Sequence, residues 1–533
     1  SAQGEDDDFS FDEDEVDSAD VDTVDDDGNL PDDERDRNHR ELEGFVARIE
    51  VLAQQISAEV EDLVKLESES LGTQDRETLN DLIEEAFEAI LEVQEDYGNL
   101  VQDILDAILV RFSMVTSGRL DCPPGKWPKS WNFTTEDRGE FIRTIRWFSS
   151  NFWPHFGRLL TPVVDGMRVR GPLYPEMRPH GAKLVFMDGQ GLGHTPDYGA
   201  SISTNITERF PDVDVILLVD NAQQPMQTAP LSVMRAVAST GHADKLAIAF
   251  THFDLIKGSN LSTNIDRRNH VMASVLSALA KLREYIGSEV VTSIEHGLDD
   301  RCFMLGGTDR LLRALPPKAG KYMRGQLETM LDLFQSAALP QDEEIDANLT
   351  YDPTGMLFAV QDAVEKFRSP WRARLGLATF SNVRREHWTR IKALSKRIGS
   401  GSEVEYDTLQ PLADLHRHLQ EAISLFLDNP TSGPLDEEQS KAVSRIRRLV
   451  ASGLLAITRR RLIEDQLVPW SEAFVRESGP GSTWRRANRI EKIYQIAAPV
   501  PQAAMTPEAR KFLDEMVDTV SSSIQAVGGA MRR

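Results

Sequence analysis

Two short stretches of the chain carry residues whose types and spacing suit phosphate and base chemistry. An apolar run at 183–187 empties into Asp188, Gly189, Gln190 and Gly191. At the end of a strand an aspartate can hold a Mg²⁺-bound water, and a glycine three residues on lets a backbone N–H reach a terminal phosphate with no side chain between. A second apolar run, 246–250, ends in Thr251, His252, Phe253 and Asp254. A carboxylate placed there can accept two N–H bonds from the edge of guanine, which adenine does not present in that arrangement.

Elements able to position these groups are written around them. Apolar runs at 183–187, 213–219, 246–250 and 301–305 have the length and composition of buried strands. The stretches 199–210, 230–240 and 269–286 between them suit crossover helices, and a closing helix is expected over 320–337. Alternating strand and helix implies an α/β fold with a parallel sheet and a ligand at the strands' carboxyl ends. A further strand is expected at 163–170, hairpinning through the proline-rich 171–179 into 183–187.

In this order and context the two motifs resemble those of P-loop GTPases. Asp188 to Gly191 is similar to the third GTPase motif and Thr251 to Asp254 to the fourth, with His252 where that motif carries lysine. The resemblance covers roughly residues 158–338. It implies a mostly parallel P-loop GTPase-type sheet with helices on both faces, binding GTP and Mg²⁺. By position, Thr161 matches the second motif, which closes on Mg²⁺ and the γ-phosphate, and Asp188 is the other Mg²⁺ residue. Gly306 falls in the fifth motif, a loop whose backbone touches the base. Leu192 stands where many relatives carry a water-orienting glutamine, leaving Gln190 and His194 as the candidate catalytic substitutes.

The phosphate loop itself, G-x-x-x-x-G-K-[ST], does not occur in the chain. Gly125 and Lys126 are followed by Trp127 where a Mg²⁺-binding hydroxyl is needed, and Pro123 and Pro124 remove backbone donors. The expectation is therefore an incomplete GTPase-like domain at 151–340. Its first strand and phosphate loop would lie upstream of residue 1, with 1–150 inserted between the first and second motifs. The competing reading is a nucleotide-free interaction scaffold on a degenerate domain of this kind.

Composition bounds the remainder. The net charge of −27 is concentrated in residues 1–38, which hold 18 acidic residues against two arginines. Such a segment is expected to be disordered. Acidic balance argues against nucleic acid as a partner. Cys122 and Cys302 have neither disulfide nor zinc-site spacing, and no apolar run is long enough to span a bilayer, so a cytoplasmic setting is expected. Between 39 and 150 an amphipathic stripe through Phe45, Ile49, Leu52, Ile56 and Leu63, a break near Gly72, and a second stripe over 75–113 predict an antiparallel helical hairpin. A Pro/Trp-rich loop follows. Residues 341–533 read as an all-α domain with helices near 354–368, 381–398, 407–427, 436–464, 482–496 and 507–528. Its Arg459, Arg460 and Arg461 point in different directions on a helix and read as solvated, and His416 and His418 are spaced wrongly for a metal pair. A GTPase-like domain coupled to helical appendages is similar in overall architecture to dynamin-like GTPases, and that resemblance implies self-association or a protein partner driven by nucleotide state through the helices.

Overall fold

The computed structural model describes residues 31–532 except 72–75, 125, 151–157, 172–183, 188–201, 309–311, 338–347, 381, 402–404, 407 and 502–504. The chain divides into two compact units, one built on Asp17–Pro172 and the other on Leu173–Glu477 with Trp484–Arg533.

The smaller unit opens with a 40-residue helix, α1 (Asp32–Leu71), followed by α2 (Arg76–Leu91) and α3 (Glu95–Arg111). Ile56 and Val60 of α1 pack on Ala86 and Ile90 of α2, Arg48 pairs with Asp103 at 2.7 Å, and Arg111 pairs with Glu41. Partners descend along the chain as α1 ascends, so the hairpin is antiparallel. Helix begins at Asp32, inside the segment expected to be disordered. Pro31 supplies the first carbonyl, three acids occupy the first turn, and Glu34 is buried under Arg158, whose Nε lies 2.6 Å from its carboxylate. That hydrogen bond with Arg158 holds the Glu34 carboxyl below its usual range. The Pro/Trp-rich loop contains an antiparallel hairpin, β1 (Arg119–Asp121) with β2 (Ser130–Asn132), and then α4 (Arg138–Ser149). Trp131 stacks on Phe148 at 4.5 Å and donates its indole N–H to the Ser117 carbonyl. Lys126 lies in the turn between two antiparallel strands, whereas a phosphate loop joins a strand to a helix.

The larger unit is mixed α/β, with a small parallel sheet and a large helical region. After the short α5 (Thr204–Thr207) come β3 (Ile216–Asn221), α6 (Thr228–Ser239), β4 (Leu246–Thr251), α7 (Asn264–Ile286), α8 (Ser288–Arg301), β5 (Cys302–Met304) and α9 (Pro317–Ala337). The strands pair in the order β3-β4-β5, all parallel, with Ile216 opposite Leu246 and Ile248 opposite Cys302. Three expected features differ. Residues 164–171 form no strand, as Pro162, Gly166 and Gly171 punctuate them. Leu184 to Met187 are likewise not a strand: Val185, Phe186 and Met187 are exposed, and Phe186 meets the Phe334 ring edge-on. The crossover helix expected over 199–210 is reduced to α5 among the described residues.

The helical region comprises β6 (Thr350–Tyr351), α10 (Pro353–Arg374), α11 (Trp388–Gly399), α12 (Pro411–Leu427), α13 (Glu437–Leu462), α14 (Leu467–Val475), α15 (Ser482–Ala497), α16 (Pro507–Gln525) and β7 (Ala530–Met531). Its core is one apolar cluster around Phe367, Trp371, Trp470, Tyr494 and Phe512. The arginines expected to be solvated are instead engaged. Arg461 is buried and donates to the Ala497 carbonyl, Arg460 pairs with Glu515 at 2.8 Å, and Arg459 pairs with Glu208.

This region grips the sheet layer through α6 and its neighbours. Arg235 of α6 meets Glu421 of α12 at 2.5 Å with both side chains buried, and its guanidinium lies 4.1 Å from the centre of the Tyr285 ring. Gln420 donates to the Ser239 carbonyl at 2.7 Å, and Arg448 donates to the Gly241 carbonyl at 2.6 Å while pairing with Asp244. Gly241 has φ 77°, and any Cβ there would collide with Ser444 and Arg447 of α13, so only glycine permits this approach. Glu405 accepts from the Ser203 hydroxyl at 2.6 Å, the Thr204 amide at 2.9 Å and the Thr204 hydroxyl at 2.8 Å, fixing the start of α5.

Candidate functional site at the carboxyl ends of the strands

The three strands deliver their carboxyl ends to one edge of the sheet. β4 stops where Leu305 donates to Phe250 and Phe253 donates back to Leu305, at 2.8 and 3.1 Å. The next residue the ladder would use, His252, has φ 59°, a left-handed turn that aims the following segment across β5. Asp254 is thereby brought to the loop after β5, where its Oδ1 accepts the Gly307 N–H at 3.1 Å. Gly307 also has a positive φ, 59°. Gly306 donates to the sulfur of Met323 at 3.2 Å, so Gly307 rather than Gly306 meets Asp254. Thr251 faces the other neighbour, its hydroxyl donating to the Asp220 carbonyl at 3.2 Å. His252 is exposed, with Nδ1 3.1 Å from the Thr251 hydroxyl.

Asp220, at the end of β3, is a residue the sequence reading passed over. Its two carboxylate oxygens accept the Asn221 N–H at 2.9 Å and the Met226 N–H at 2.7 Å, organising a loop in which Met226 itself has φ 59°. Burial pushes the Asp220 carboxyl above its ordinary value despite those two bonds. An acid closing an apolar strand was the signal available for it.

Of the residues singled out beforehand, Thr251, His252, Asp254 and Gly306 therefore share one edge. Asp188, Gln190, Gly191 and His194 lie outside the described residues. Thr161 belongs to the smaller unit, where its hydroxyl donates to the Ser150 carbonyl at 2.6 Å. Among the described residues no group of three or more His, Cys, Asp or Glu side chains is placed to hold a metal ion.

A cavity of about 150 Å³ opens at the opposite edge, beneath the amino ends of β4 and β5, lined by Leu246, Ile294, Leu298, Arg301 and Cys302 among others. It is too small for a nucleotide, and burial pushes its one thiol, Cys302, up to about 12, so that sulfur stays protonated. Ligands of open parallel sheets sit outside the carboxyl ends, where the strand order reverses. Comparison with protein-family models, curated proteins and solved structures finds no match to the chain.

Proposed function

We propose that the chain is a guanine-nucleotide-binding protein of the GTPase type, whose base site lies between the loops after β4 and β5. The observation carrying this reading is the convergence of Asp254 with Gly307 at the carboxyl edge of a parallel sheet. Asp254 is half-buried and its Oδ1 is held by a backbone donor, so the carboxylate is oriented before any ligand arrives. An oriented carboxylate suits the paired N–H donors of guanine and repels the acceptors of other bases. The fuller reading, a P-loop GTPase-type sheet with helices on both faces, assigns Mg²⁺ and the terminal phosphate of GTP to Asp188 and Gly191, and any hydrolysis to Gln190 or His194. The α6 helix starts from the loop that Asp220 organises and ends in the grip of α12 and α13. Nucleotide occupancy at the sheet edge would accordingly be transmitted to the helical region, and through it to self-association or a partner.

The direct test is Asp254→Asn with calorimetric titration of guanine and xanthine nucleotides. The expected result is at least a tenfold loss of guanine affinity with a gain for xanthine, because an amide donates where guanine donates and xanthine accepts. Unchanged guanine affinity would remove Asp254 from the site. The second reading, a helical scaffold that binds no nucleotide, is favoured by two observations. One Asp254 oxygen is already satisfied by Gly307, and the sequence holds no G-x-x-x-x-G-K-[ST]. It predicts no saturable binding of any nucleotide.

A further inference from the structure

One face of the sheet and one face of α8 enclose the cavity under the amino ends of β4 and β5. On the sheet side Leu246 and Ile248 alternate along β4, and Cys302 of β5 stands opposite Ile248 in the ladder. On the other side Ile294, Gly297, Leu298 and Arg301 recur at steps of three and four residues along α8. A helix face that packs on a sheet is expected to carry a sizeable apolar residue at each buried step, and here one central step is glycine. Nothing in the fold demands glycine there. Gly297 lies inside the helix, outside the left-handed region, and among the described residues a Cβ built on it would meet only the Cδ and Nε of Arg301, at 3.6 and 3.7 Å, which is ordinary contact. Gly453 of α13 differs, since a Cβ there would come within 2.5 Å of Thr519. Alanine at 297 would favour the helix; the glycine weakens it and keeps open the space that Leu298 and Cys302 also line.

Size and chemistry of the walls set the class of ligand. A cavity of about 150 Å³ lined by aliphatic side chains admits a molecule the size of benzene. Cys302 adds a polarisable sulfur and, because its thiol stays protonated, no charge. The half-exposed Arg301 is committed to the protein: its Nη1 donates to the Asp244 carbonyl and lies 3.4 Å from the Leu246 carbonyl, while the Asp244 carboxylate pairs with Arg448. Charge at the rim is thereby engaged within the chain itself, which favours an uncharged occupant over an anionic one.

We propose that this cavity is a binding site for a small uncharged apolar molecule of about six to eight carbon atoms, a single aromatic ring or a short branched hydrocarbon. The site lies at the opposite edge of the sheet from Asp254 and is independent of the guanine reading. An occupant touches α8, β4 and β5 at once, so it stabilises the sheet layer in proportion to its concentration over its dissociation constant.

The test is a fluorine NMR titration of the full chain with fluorobenzene and, separately, with fluorobenzoate. Fluorobenzene should bind saturably with a dissociation constant on the order of 0.1 to 1 mM, and fluorobenzoate at least about tenfold more weakly. Gly297→Leu, whose side chain takes up the cavity, should abolish fluorobenzene binding and raise the thermal midpoint of the ligand-free chain by about 2 °C. Gly297→Ala should weaken binding several-fold, and it serves if the leucine variant does not fold. Absence of saturable binding up to about 10 mM, undiminished binding by the Gly297 variants, or equal affinity for the anion would each overturn the proposal.

Discussion

β3 and β4 lie side by side in one ladder with six residue pairs in register, yet they live in different environments. All five residues from Leu246 to Phe250 are buried, whereas in β3 only Leu218 is, and Val219 is 56% exposed. The two sequences are similarly apolar, so the contrast does not come from composition. β4 has a strand on each side, while among the described residues β3 pairs with β4 alone. Among the described residues the far side of β3 is an unpaired and largely exposed edge, and Asp220 stands at the carboxyl end of that strand. Edge strands whose far side is unpaired invite another backbone.

The sharpest way to break this comparison is a matched pair of truncations. Phe250→Ala in β4 should lower unfolding free energy by about 3–5 kcal/mol, while Val219→Ala in β3 should cost under about 1 kcal/mol, both read from urea midpoints. Equal costs would mean that β3 is covered by something beyond its ladder.

A second substitution asks whether the helical region supports that edge through α6. Glu421→Ala leaves Arg235 buried without its carboxylate and should cost about 3 kcal/mol. Hydrogen exchange should show β3 and the loop after it losing protection before β5 does. Loss confined to α12 would separate the two regions energetically.

Acid supplies a gentler probe of the other end of the strands. His242, just before β4, and His416 in α12 are both held down to about 4, in each case chiefly by burial, with Lys245 and Arg448 adding to the effect on His242. A base whose folded pKa lies below its unfolded value contributes stability that is complete above about pH 6.5 and is lost as pH falls toward 4. Stability should therefore decline across that window. His242→Gln should flatten the decline; an unchanged slope would show that other groups cause it.

The sheet was legible because β3, β4 and β5 are short apolar runs bounded by polar residues, a pattern that burial in a parallel ladder demands. The helices α12, α13, α15 and α16 were legible from periodicity to within four residues at their ends, whereas α10 runs six residues past its expected end and α11 starts seven residues after its expected start. What escaped has physical reasons. α14 was not expected from periodicity; Pro469 lies in its first turn, where the missing N–H is harmless. The interruption between α2 and α3 contains no glycine or proline, and Val93 there is simply turned out to solvent. The stretches at 163–170 and 184–187 have strand composition, but composition cannot say whether a partner strand is present. Of the candidate site, Asp254 and its strand were readable, whereas its tie to Gly307 and the role of Asp220 depend on loop geometry that spacing does not encode.

Base selectivity of the unaltered chain tests the central claim most directly. A fluorescent guanine nucleotide would be titrated with the protein and displaced by GTP, ATP or XTP, with Mg²⁺ present and with Mg²⁺ chelated. A site resting on Asp254, in a sequence with no phosphate loop, should bind weakly, from about micromolar to about millimolar, and favour GTP over ATP by at least tenfold, about 1.4 kcal/mol. Equal displacement by GTP and ATP, or no saturable binding up to about 1 mM, would contradict the assignment of the β4 and β5 loops as a guanine site.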